Sequence, residues 1–339
     1  MYRSKRLLIL LAVLAVVCAA ALIALGAEHR QEQIQTSGQV VLELSADSGQ
    51  TLSWTYGGET LSFTRGEDGG WSYDGDAAFP VDEQAMAELL EPFTAFSVAF
   101  VIQDVEDFGQ YGLDDPVCTI SIGTQSETYE ILLGDYSAMD EQRYVSLGDG
   151  NVYLAVNDPL DQYDAALRDC IQNDQVPTLD QVTSLTFSGA EDYTVFYQED
   201  GSAYSYCEDD VYFTDRDGDT LPLDTSRVES YLSALSNLVL TNYVTYSAAD
   251  EDLAQYGLDD PELTVSVDYT GEDENGGEIS GTFTLHLSRD PEERARAEES
   301  QEDGGEGEEA ITAYARVGDS PIVYSITSLE YTDLMAASY

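Results

Sequence analysis

A hexapeptide that occurs twice is the feature of this sequence that most restricts its possible folds. Tyr-Gly-Leu-Asp-Asp-Pro occupies residues 111–116 and returns unchanged at residues 256–261, 145 residues later. The flanking sequence repeats as well, because Pro-Val-Asp at residues 80–82 corresponds to Pro-Leu-Asp at residues 222–224, at an offset of 142. Self-similarity of this kind indicates two tandem copies of one domain, which should share one fold.

A helical pattern follows the shared aspartate in each copy. Asp82 and Asp224 are placed as N-caps, whose carboxylates accept hydrogen bonds from the first backbone amides of a helix. Apolar residues then recur at i, i+3, i+4 and i+7, which is one face of an α-helix. The predicted buried residues are Met86, Leu89, Leu90 and Phe93 in the first copy, Val228, Tyr231, Leu232 and Leu235 in the second, and the hexapeptide leucines Leu113 and Leu258.

The remainder of each copy favours strands. Apolar and polar residues alternate after each hexapeptide, which is typical of strands with one wet face and suits an antiparallel sheet. One helix per sheet makes the predicted fold class α+β, in two tandem copies. Further strands are predicted near Thr51–Thr64 and Ser184–Tyr197 and in the matched aromatic segments Trp71–Tyr73 and Tyr204–Tyr206. An extended segment is predicted after each helix, at Ser97–Ile102 and at Leu238–Val244. Within the first pair, Ser53–Tyr56 is matched to Ser184–Phe187.

The second copy contains an acidic insertion. The offset between matched residues grows from 145 at the hexapeptide to 170 at Tyr144 and Tyr314, so the second copy has gained about 25 residues. They include the acidic stretch Gly271–Asn275 and an acidic, glycine-containing stretch at residues 289–309. That composition predicts a solvated, mobile loop over residues 289–309.

The N-terminal segment predicts a membrane anchor. Leu7–Gly26 is a run of twenty uncharged residues, which as a helix would span about 30 Å of bilayer. Arg3, Lys5 and Arg6 precede the run and should stay cytoplasmic, so the rest of the chain is expected outside. A cleaved signal peptide and a lipoprotein site at Cys18 are competing interpretations, and both also place the domains outside.

The predicted organisation therefore has five parts. They are a cytoplasmic tip at residues 1–6, a transmembrane anchor at 7–26, a stalk at 27–47, a first repeat domain at 48–170 and a second at 178–339.

The charge limits the classes of partner. Sixty-six acidic residues face thirteen basic ones, a formal net charge of -53, so the surface should repel nucleic acids and anionic lipid headgroups. Divalent cations, basic partners and simple adaptation to salt or to a polyanionic envelope all remain compatible. Cys118, Cys170 and Cys207 lie beyond the apolar segment. Three cysteines permit one internal disulfide at most, and none has the spacing of a zinc or dithiol site.

Catalytic patterns are not found. The two histidines are His29 in the stalk and His286, which is predicted to be exposed on the polar side of a strand. Asp215-Arg216-Asp217-Gly218-Asp219 has the alternating acids of a calcium loop, but Thr220 and Ser226 stand where glycine and glutamate are expected. We favour an Asp-Gly turn there, as at residues 74–76. No catalytic, cofactor-binding or metal-binding residue is assigned, and an enzyme is not expected.

Several of these features together resemble a known family. The anchor, the W-x-Y strand Trp71–Tyr73, the helix start at residues 80–82 and the hexapeptide are similar to the bacterial domain of unknown function four-three-four-zero (DUF4340). The resemblance covers nearly everything after Gly49, in two copies, and provides no catalytic residues to transfer. It implies a role outside the cytoplasm beside an ABC transport system of the gliding-motility type.

The expected function is therefore that of a non-catalytic binding or scaffold protein, single-pass in the cell membrane. Its expected partners are the membrane, through Leu7–Gly26, and an ABC transporter or envelope protein. A glycan hydrolase that uses an acidic pair and a calcium-dependent envelope-binding protein are the alternatives.

Overall fold

The computed structural model describes residues 38–179, 181–203, 207–272, 278–302 and 311–336. The predicted anchor, Leu7–Gly26, and most of the predicted stalk lie outside these residues. Within them, no helix combines the length and apolar character needed to cross a membrane. The chain separates after Gln172 into two compact units. Each unit contains a sheet of nine strands, and every strand pairing is antiparallel in the part of the chain that the structure describes.

The first unit contains strands β1 to β9 and helices α1 and α2. The strands are β1 Gln39–Leu42, β2 Gly49–Tyr56, β3 Glu59–Arg65, β4 Trp71–Tyr73, β5 Phe96–Ile102, β6 Cys118–Thr124, β7 Thr128–Ser137, β8 Gln142–Ser146 and β9 Val152–Ala155. The helices are α1 Glu83–Leu90 and α2 Leu160–Tyr163. The spatial order is β1-β5-β9-β8-β7-β6-β2-β3-β4.

The second unit contains strands β10 to β18 and helices α3 to α5. The strands are β10 Gln181–Gly189, β11 Tyr193–Tyr197, β12 Tyr212–Arg216, β13 Asp219–Pro222, β14 Tyr243–Thr245, β15 Leu263–Glu272, β16 Glu278–Arg289, β17 Ala313–Val317 and β18 Val323–Ile326. The helices are α3 Thr225–Ser236, α4 Pro291–Glu302 and α5 Ser328–Met335. The spatial order is β13-β12-β11-β10-β15-β16-β17-β18-β14.

The two sheets share one topology over eight strands. The order β4-β3-β2-β6-β7-β8-β9-β5 in the first unit corresponds to β12-β11-β10-β15-β16-β17-β18-β14 in the second. The ninth strand differs, because β1 extends the first sheet beside β5 while β13 extends the second sheet at the opposite edge, beside β12. The predicted internal duplication and antiparallel α+β class are confirmed, although each unit has more than the one helix predicted.

The predicted helix starts are confirmed. The Asp82 carboxylate accepts hydrogen bonds from the first backbone amides of α1, and the Asp224 carboxylate does the same for α3. Seven of the eight predicted stripe residues are buried, but Leu232 is only half-buried. Helix α1 ends at Leu90 and turns, whereas α3 continues to Ser236, so Leu232 stays on the flank of a longer helix.

Strand register corrects two of the sequence matches. Trp54 lies opposite Ile120, four residues after the hexapeptide, and Phe187 lies opposite Val265, also four residues after it. Trp54 is therefore equivalent to Phe187, two residues from its predicted match. The strand equivalent to β4 is β12, and Tyr204–Tyr206, its predicted match, lies outside the described residues. The first error keeps every side chain on the same face of the strand, and the second matches two segments of similar aromatic composition. A sequence pattern alone does not distinguish either match from the true one.

Each copy contains a buried tyrosine–carbonyl hydrogen bond, but the positions of the tyrosine and of the carbonyl are exchanged between the copies. The Tyr163 hydroxyl donates to the Leu89 carbonyl (2.6 Å), and the Tyr231 hydroxyl donates to the Leu334 carbonyl (3.0 Å). Leu89 and Tyr231 are equivalent at an offset of 142, and Tyr163 and Leu334 at 171. Each accepting carbonyl lies in the last turn of a helix, where no intrahelical partner exists. Burial raises the pKa of both tyrosines, so both hydroxyls remain protonated donors.

We expect Tyr163→Phe and Tyr231→Phe each to lower the free energy of unfolding of its own unit by about 1–3 kcal/mol, because a buried carbonyl loses its donor. Denaturant unfolding measures the loss. Tyr136→Phe is the control, since that side chain is half exposed, and it should change stability little. Equal effects of all three substitutions would contradict the interpretation.

The acidic insertion is more ordered than predicted. A loop was predicted over residues 289–309, but β16 continues through Arg289 and α4 occupies Pro291–Glu302. The Asp290 carboxylate accepts hydrogen bonds from the amides of Glu292 and Glu293, so it caps α4. Residues 303–309 lie outside the described residues.

Candidate functional site

The hexapeptide forms the same turn in both copies. A short 3-10 helix ends at Gly112 (φ 70°, ψ 17°) in the first copy and at Gly257 (φ 70°, ψ 13°) in the second. The next amide reaches back across the turn, from Leu113 to Phe108 O (3.1 Å) and from Leu258 to Leu253 O (3.0 Å). This is a Schellman-type ending, and its left-handed residue is normally glycine. The glycine in the hexapeptide is therefore required by backbone geometry.

The apolar side chains of the hexapeptide are also structural. Leu113 and Leu258 are buried at equivalent places, as predicted. The ring of Tyr111 packs on Tyr144 of β8 at 4.9 Å between centroids, and Tyr256 packs on Tyr314 of β17 at 5.1 Å. Only the two aspartates of each copy are exposed. The recurrence of this motif is explained by folding, as the sequence interpretation favoured.

In the second copy the hexapeptide borders a cavity that we call the arginine corner. The cavity holds about 340 Å³ and lies between the hexapeptide turn, the end of β16 and the start of α4. Its polar lining consists of Asp259 and Asp260 from the hexapeptide and Ser288, Arg289 and Arg294 from the other two elements. The structure therefore brings together the repeated motif and the insertion, which the sequence treated separately.

Ion pairs hold the arginines of the corner. Glu262 is the central acceptor: its carboxylate lies 3.5 Å from Arg294 Nε and accepts hydrogen bonds from the Arg289 amide (2.6 Å) and the Tyr331 hydroxyl (2.8 Å). Glu293 accepts hydrogen bonds from the amide and hydroxyl of Thr312, and these bonds lower the pKa of its carboxyl group. Both glutamate carboxylates therefore already accept hydrogen bonds from within the chain.

Two donors at the corner are not satisfied. Ser288 is 1% exposed, and its hydroxyl has no hydrogen-bond partner among the described residues. Arg289 Nε is also buried, and its nearest carboxylate, Glu293, lies 3.7 Å away, too far for a hydrogen bond. Arg294 keeps 47% of its side chain exposed. Both unpaired atoms are buried, so the half-exposed Arg294 side chain is the donor that a ligand can reach. The carboxylates of the corner (Asp259, Asp260, Glu262 and Glu293) outnumber its two arginines, so a neutral acceptor such as a carbonyl suits the cavity better than a carboxylate.

The first copy lacks this corner. Leu133 and Leu287 are equivalent, because each lies opposite the second residue after its hexapeptide, so Gly134 and Asp135 replace Ser288 and Arg289. The insertion that carries α4 is present in the second copy alone.

The histidine and the acidic loop singled out from sequence have structural roles. His286 is half-buried rather than exposed, and its Nδ1 lies 3.0 Å from the Thr264 hydroxyl. Burial, with a smaller effect of Arg316, lowers its pKa, so the imidazole stays neutral. Asp217 and Gly218 both have positive φ (54° and 93°) and form the two-residue hairpin turn between β12 and β13. The predicted Asp-Gly turn is confirmed. His29 lies outside the described residues.

No disulfide joins the three cysteines of the described region. Burial raises the pKa of Cys118 and of Cys170 to about 12. At pH 8 only about one such thiol in ten thousand is ionised, and the thiolate is the reactive form. Cys207 is half-buried, with Sγ 3.3 Å from the Ser202 hydroxyl.

We therefore expect iodoacetamide at pH 8 to modify Cys207 at least a hundredfold faster than Cys118 or Cys170. Peptide mass spectrometry resolves the three sites, and all three should react alike in denaturant. Native modification of either buried thiol at the rate of Cys207 would contradict the packing.

A sequence profile described as "Domain of unknown function (DUF4340)" matches residues 71–245 and again residues 216–335. The chain belongs to the DUF4340 family. The first match begins at β4 and ends at β14, so it crosses the division after Gln172 between the two units. No curated protein and no solved structure matches the chain. Membership in DUF4340 confirms the resemblance drawn from the hexapeptide and identifies the duplication as two copies of that domain.

Sequence reasoning missed the arginine corner because it assigned the insertion to a loop. A helix signal was nevertheless present: Asp290-Pro291-Glu292-Glu293 places an N-cap, a first-turn proline and first-turn acids in order. Recognising it would have placed Arg289, Arg294 and Arg296 around one helix start.

Proposed function

We propose that this DUF4340 protein is a non-catalytic, membrane-anchored binding or scaffold protein outside the cytoplasm. One observation carries the proposal: the most specific motif that the two copies share is used for folding, and a surface cavity beside it has been added in one copy. The hexapeptide closes a turn in each copy, whereas the arginine corner exists only in the second. Duplication followed by divergence of one exposed surface is expected of a binding module.

The arginine corner is the contact surface that the geometry favours. Three of the nine arginines that the structure describes, Arg289, Arg294 and Arg296, fall within eight residues. This is a local concentration of positive charge in a chain whose net charge is -53. The Arg294 side chain, 47% exposed in the lining of the cavity, is the donor that a partner's acceptor can reach. A partner that inserts a carbonyl beside exposed basic groups of its own would match both the corner and the acidic surface around it.

The location and the partner class are parts of the same proposal. The uncharged run Leu7–Gly26 and the three cations before it support an anchor with the domains outside. The resemblance to DUF4340 implies an ABC transport system as the partner, and another envelope protein is the broader possibility.

Co-purification from native membranes tests the proposal. The tagged full-length chain is crosslinked in intact cells, solubilised and analysed by quantitative mass spectrometry against an untagged strain. We expect repeated enrichment of a component of an ABC transport system or of one envelope protein. If no such protein is enriched in independent preparations, the binding role is wrong.

A membrane-impermeant maleimide tests the location. It should label Cys207 in cells with a permeable outer layer, and labelling only after lysis would contradict the external location.

A further inference from the structure

The two aspartates of the second hexapeptide are the part of the motif that the turn does not use. Its glycine ends the 3-10 helix, its leucine is buried and its tyrosine packs on β17. Asp259 and Asp260 are exposed, and within the described residues neither carboxylate makes a hydrogen bond or an ion pair. Both line the cavity of the arginine corner.

The charges of the corner do not cancel. Arg294 Nε lies 3.5 Å from Glu262, and Arg289 Nε lies 3.7 Å from Glu293. Each arginine therefore has a glutamate partner, and the two aspartates remain as uncompensated negative charges in the cavity lining. A concave site lined by uncompensated charge of one sign attracts a ligand of the opposite sign. The corner therefore favours a cationic group.

The same cavity also offers hydrogen-bond donors. Arg294 lines it with a side chain that is 47% exposed. Ser288, also in the lining, is 1% exposed, and its unpaired hydroxyl lies 2.6 Å from the position that a Cβ on Gly257 would occupy. A buried polar group without a partner is rare in native proteins and is commonly completed by a bound group or a water. The ligand should therefore present an acceptor close to its cationic group.

The size and the walls of the cavity limit the ligand further. About 340 Å³ lies at the small end of ligand sites, which suits one or two residues of a polypeptide better than a folded surface. Ala254, Pro291 and Ala295 form an apolar part of the lining. The cavity therefore matches a cation, a neutral acceptor and a small apolar group that lie within a few bonds of one another.

We infer that the arginine corner binds the free N-terminus of a partner polypeptide, with the α-ammonium group at Asp259 and Asp260 and the first carbonyl at Arg294. This inference names the group that enters the corner and rests on the proposed binding role. In an N-terminal residue the ammonium and carbonyl flank one Cα, so both fit a small cavity. A lysine side chain carries its ammonium four methylene groups away from its backbone. Capture of an N-terminal amine is a recurring mode of peptide recognition.

The first copy provides a matched control. Asp114 and Asp115 are the same hexapeptide aspartates, exposed and likewise without a hydrogen bond or ion pair in the described part of the chain. Asp135 stands there in place of Arg289, and the insertion that carries α4 is absent. That acidic pair has no arginine beside it to read a carbonyl, so it should not select an N-terminus.

Isothermal titration calorimetry on the full-length chain in detergent tests the inference. The probe is the tripeptide Ala-Ala-Val with an amidated C-terminus, compared with its N-acetylated form and with N-acetyl-lysine amide. At about pH 6.5 the free peptide should bind at least tenfold more tightly than either. At about pH 9 only about one α-amino group in ten stays protonated, so its affinity should fall about tenfold, whereas a lysine ammonium stays charged.

Substitutions assign the two contacts. Asp259→Asn with Asp260→Asn should lower the affinity for the free peptide at least tenfold, and Asp114→Asn with Asp115→Asn should leave it unchanged. Arg294→Gln should weaken the peptide but not propylamine, which has no carbonyl. Circular dichroism verifies that each variant is folded. No binding at millimolar peptide, equal binding of the acetylated peptide or of the lysine amide, or equal losses from the two aspartate pairs would overturn the inference.

A carbodiimide, which joins carboxylates to amines in direct contact, tests the source of the N-terminus in native membranes. The expected crosslink joins Asp259 or Asp260 to the α-amine of a partner's first residue, as identified by peptide mass spectrometry. Crosslinks from these aspartates to lysine side chains alone would overturn the inference. Failure here with a partner still enriched from membranes would leave the binding role standing, because that partner would then be held through other groups.

Discussion

Replacing Arg143 by methionine is expected to lower the free energy of unfolding of the first copy by about 3–5 kcal/mol. Arg143 Nε donates to both carboxylate oxygens of Asp158 (2.7 and 2.9 Å), and Nη1 donates to Gly134 O (2.7 Å). The two side chains are only 9% and 15% exposed. Methionine fills much of the volume but leaves the nearly buried Asp158 carboxylate with the Leu160 amide alone as a donor, and the Gly134 carbonyl without its arginine donor. This is the costly way to break such a pair.

Tryptophan fluorescence during urea unfolding measures this effect selectively. Both tryptophans of the chain, Trp54 and Trp71, lie in the first unit and are buried there. In Arg143→Met, the unfolding transition seen by fluorescence should shift to a lower urea concentration. The transition of the second unit, seen in far-ultraviolet circular dichroism, should keep its midpoint. Separate transitions must be fitted separately, since two units need not unfold as one.

The chain offers two controls for Arg143. Arg227→Met removes an exposed pair, with Arg227 66% exposed and Nε 4.0 Å from Asp224, and should cost at most about 1 kcal/mol. The second copy has Ala313 and Leu329 at the positions of Arg143 and Asp158, so Arg143→Met with Asp158→Leu removes both charges. The double variant should recover part of the loss. If it is no more stable than Arg143→Met, the stranded carboxylate is not the cause.

Gly112→Ala is the second substitution with a large expected effect, about 2–5 kcal/mol. The left-handed backbone contributes about 1–2 kcal/mol and the overlap about 1–3. A Cβ at residue 112 would lie 2.6 Å from the Asp135 carboxyl carbon and 2.8 Å from the Asp135 backbone nitrogen, which belongs to β7 and cannot easily move. Fluorescence-detected unfolding measures the loss.

Gly257→Ala is the matched substitution in the second copy, and its effect should be smaller, about 1–2 kcal/mol. There the Cβ would meet the Ser288 hydroxyl at 2.6 Å, which can rotate away, and the Arg289 carbonyl only at 3.3 Å. The loss should appear in circular dichroism and not in tryptophan fluorescence. If both substitutions left stability unchanged, the hexapeptide would not be a structural turn, and its recurrence would again favour a binding motif.

Local patterns were sufficient for the parts of the fold that short-range chemistry determines. Asp82 and Asp224 could be recognised as caps, and the helical stripes as core, because those features depend on residues within two turns. The hexapeptide could be interpreted as a turn because glycine and proline act on their own backbone.

The errors arise where distant strands decide the structure. Trp54 was matched two residues away from its true equivalent, since a shift of two keeps every side chain on the same face. His286 was predicted to be exposed, but it is half-buried, and its Nδ1 lies 3.0 Å from the Thr264 hydroxyl of the neighbouring strand.

The claim that the exposed, diverged surface binds is tested most directly by charge reversal at the arginine corner. Arg294→Glu replaces a side chain that is 47% exposed, and Arg227→Glu, whose side chain is 66% exposed on α3, is the control away from the cavity. Both variants are expressed at equal levels, crosslinked in intact cells and compared by quantitative co-purification. The account predicts that Arg294→Glu lowers recovery of the partner at least tenfold while Arg227→Glu retains it. Equal recovery with both variants would show that the corner is not the contact surface.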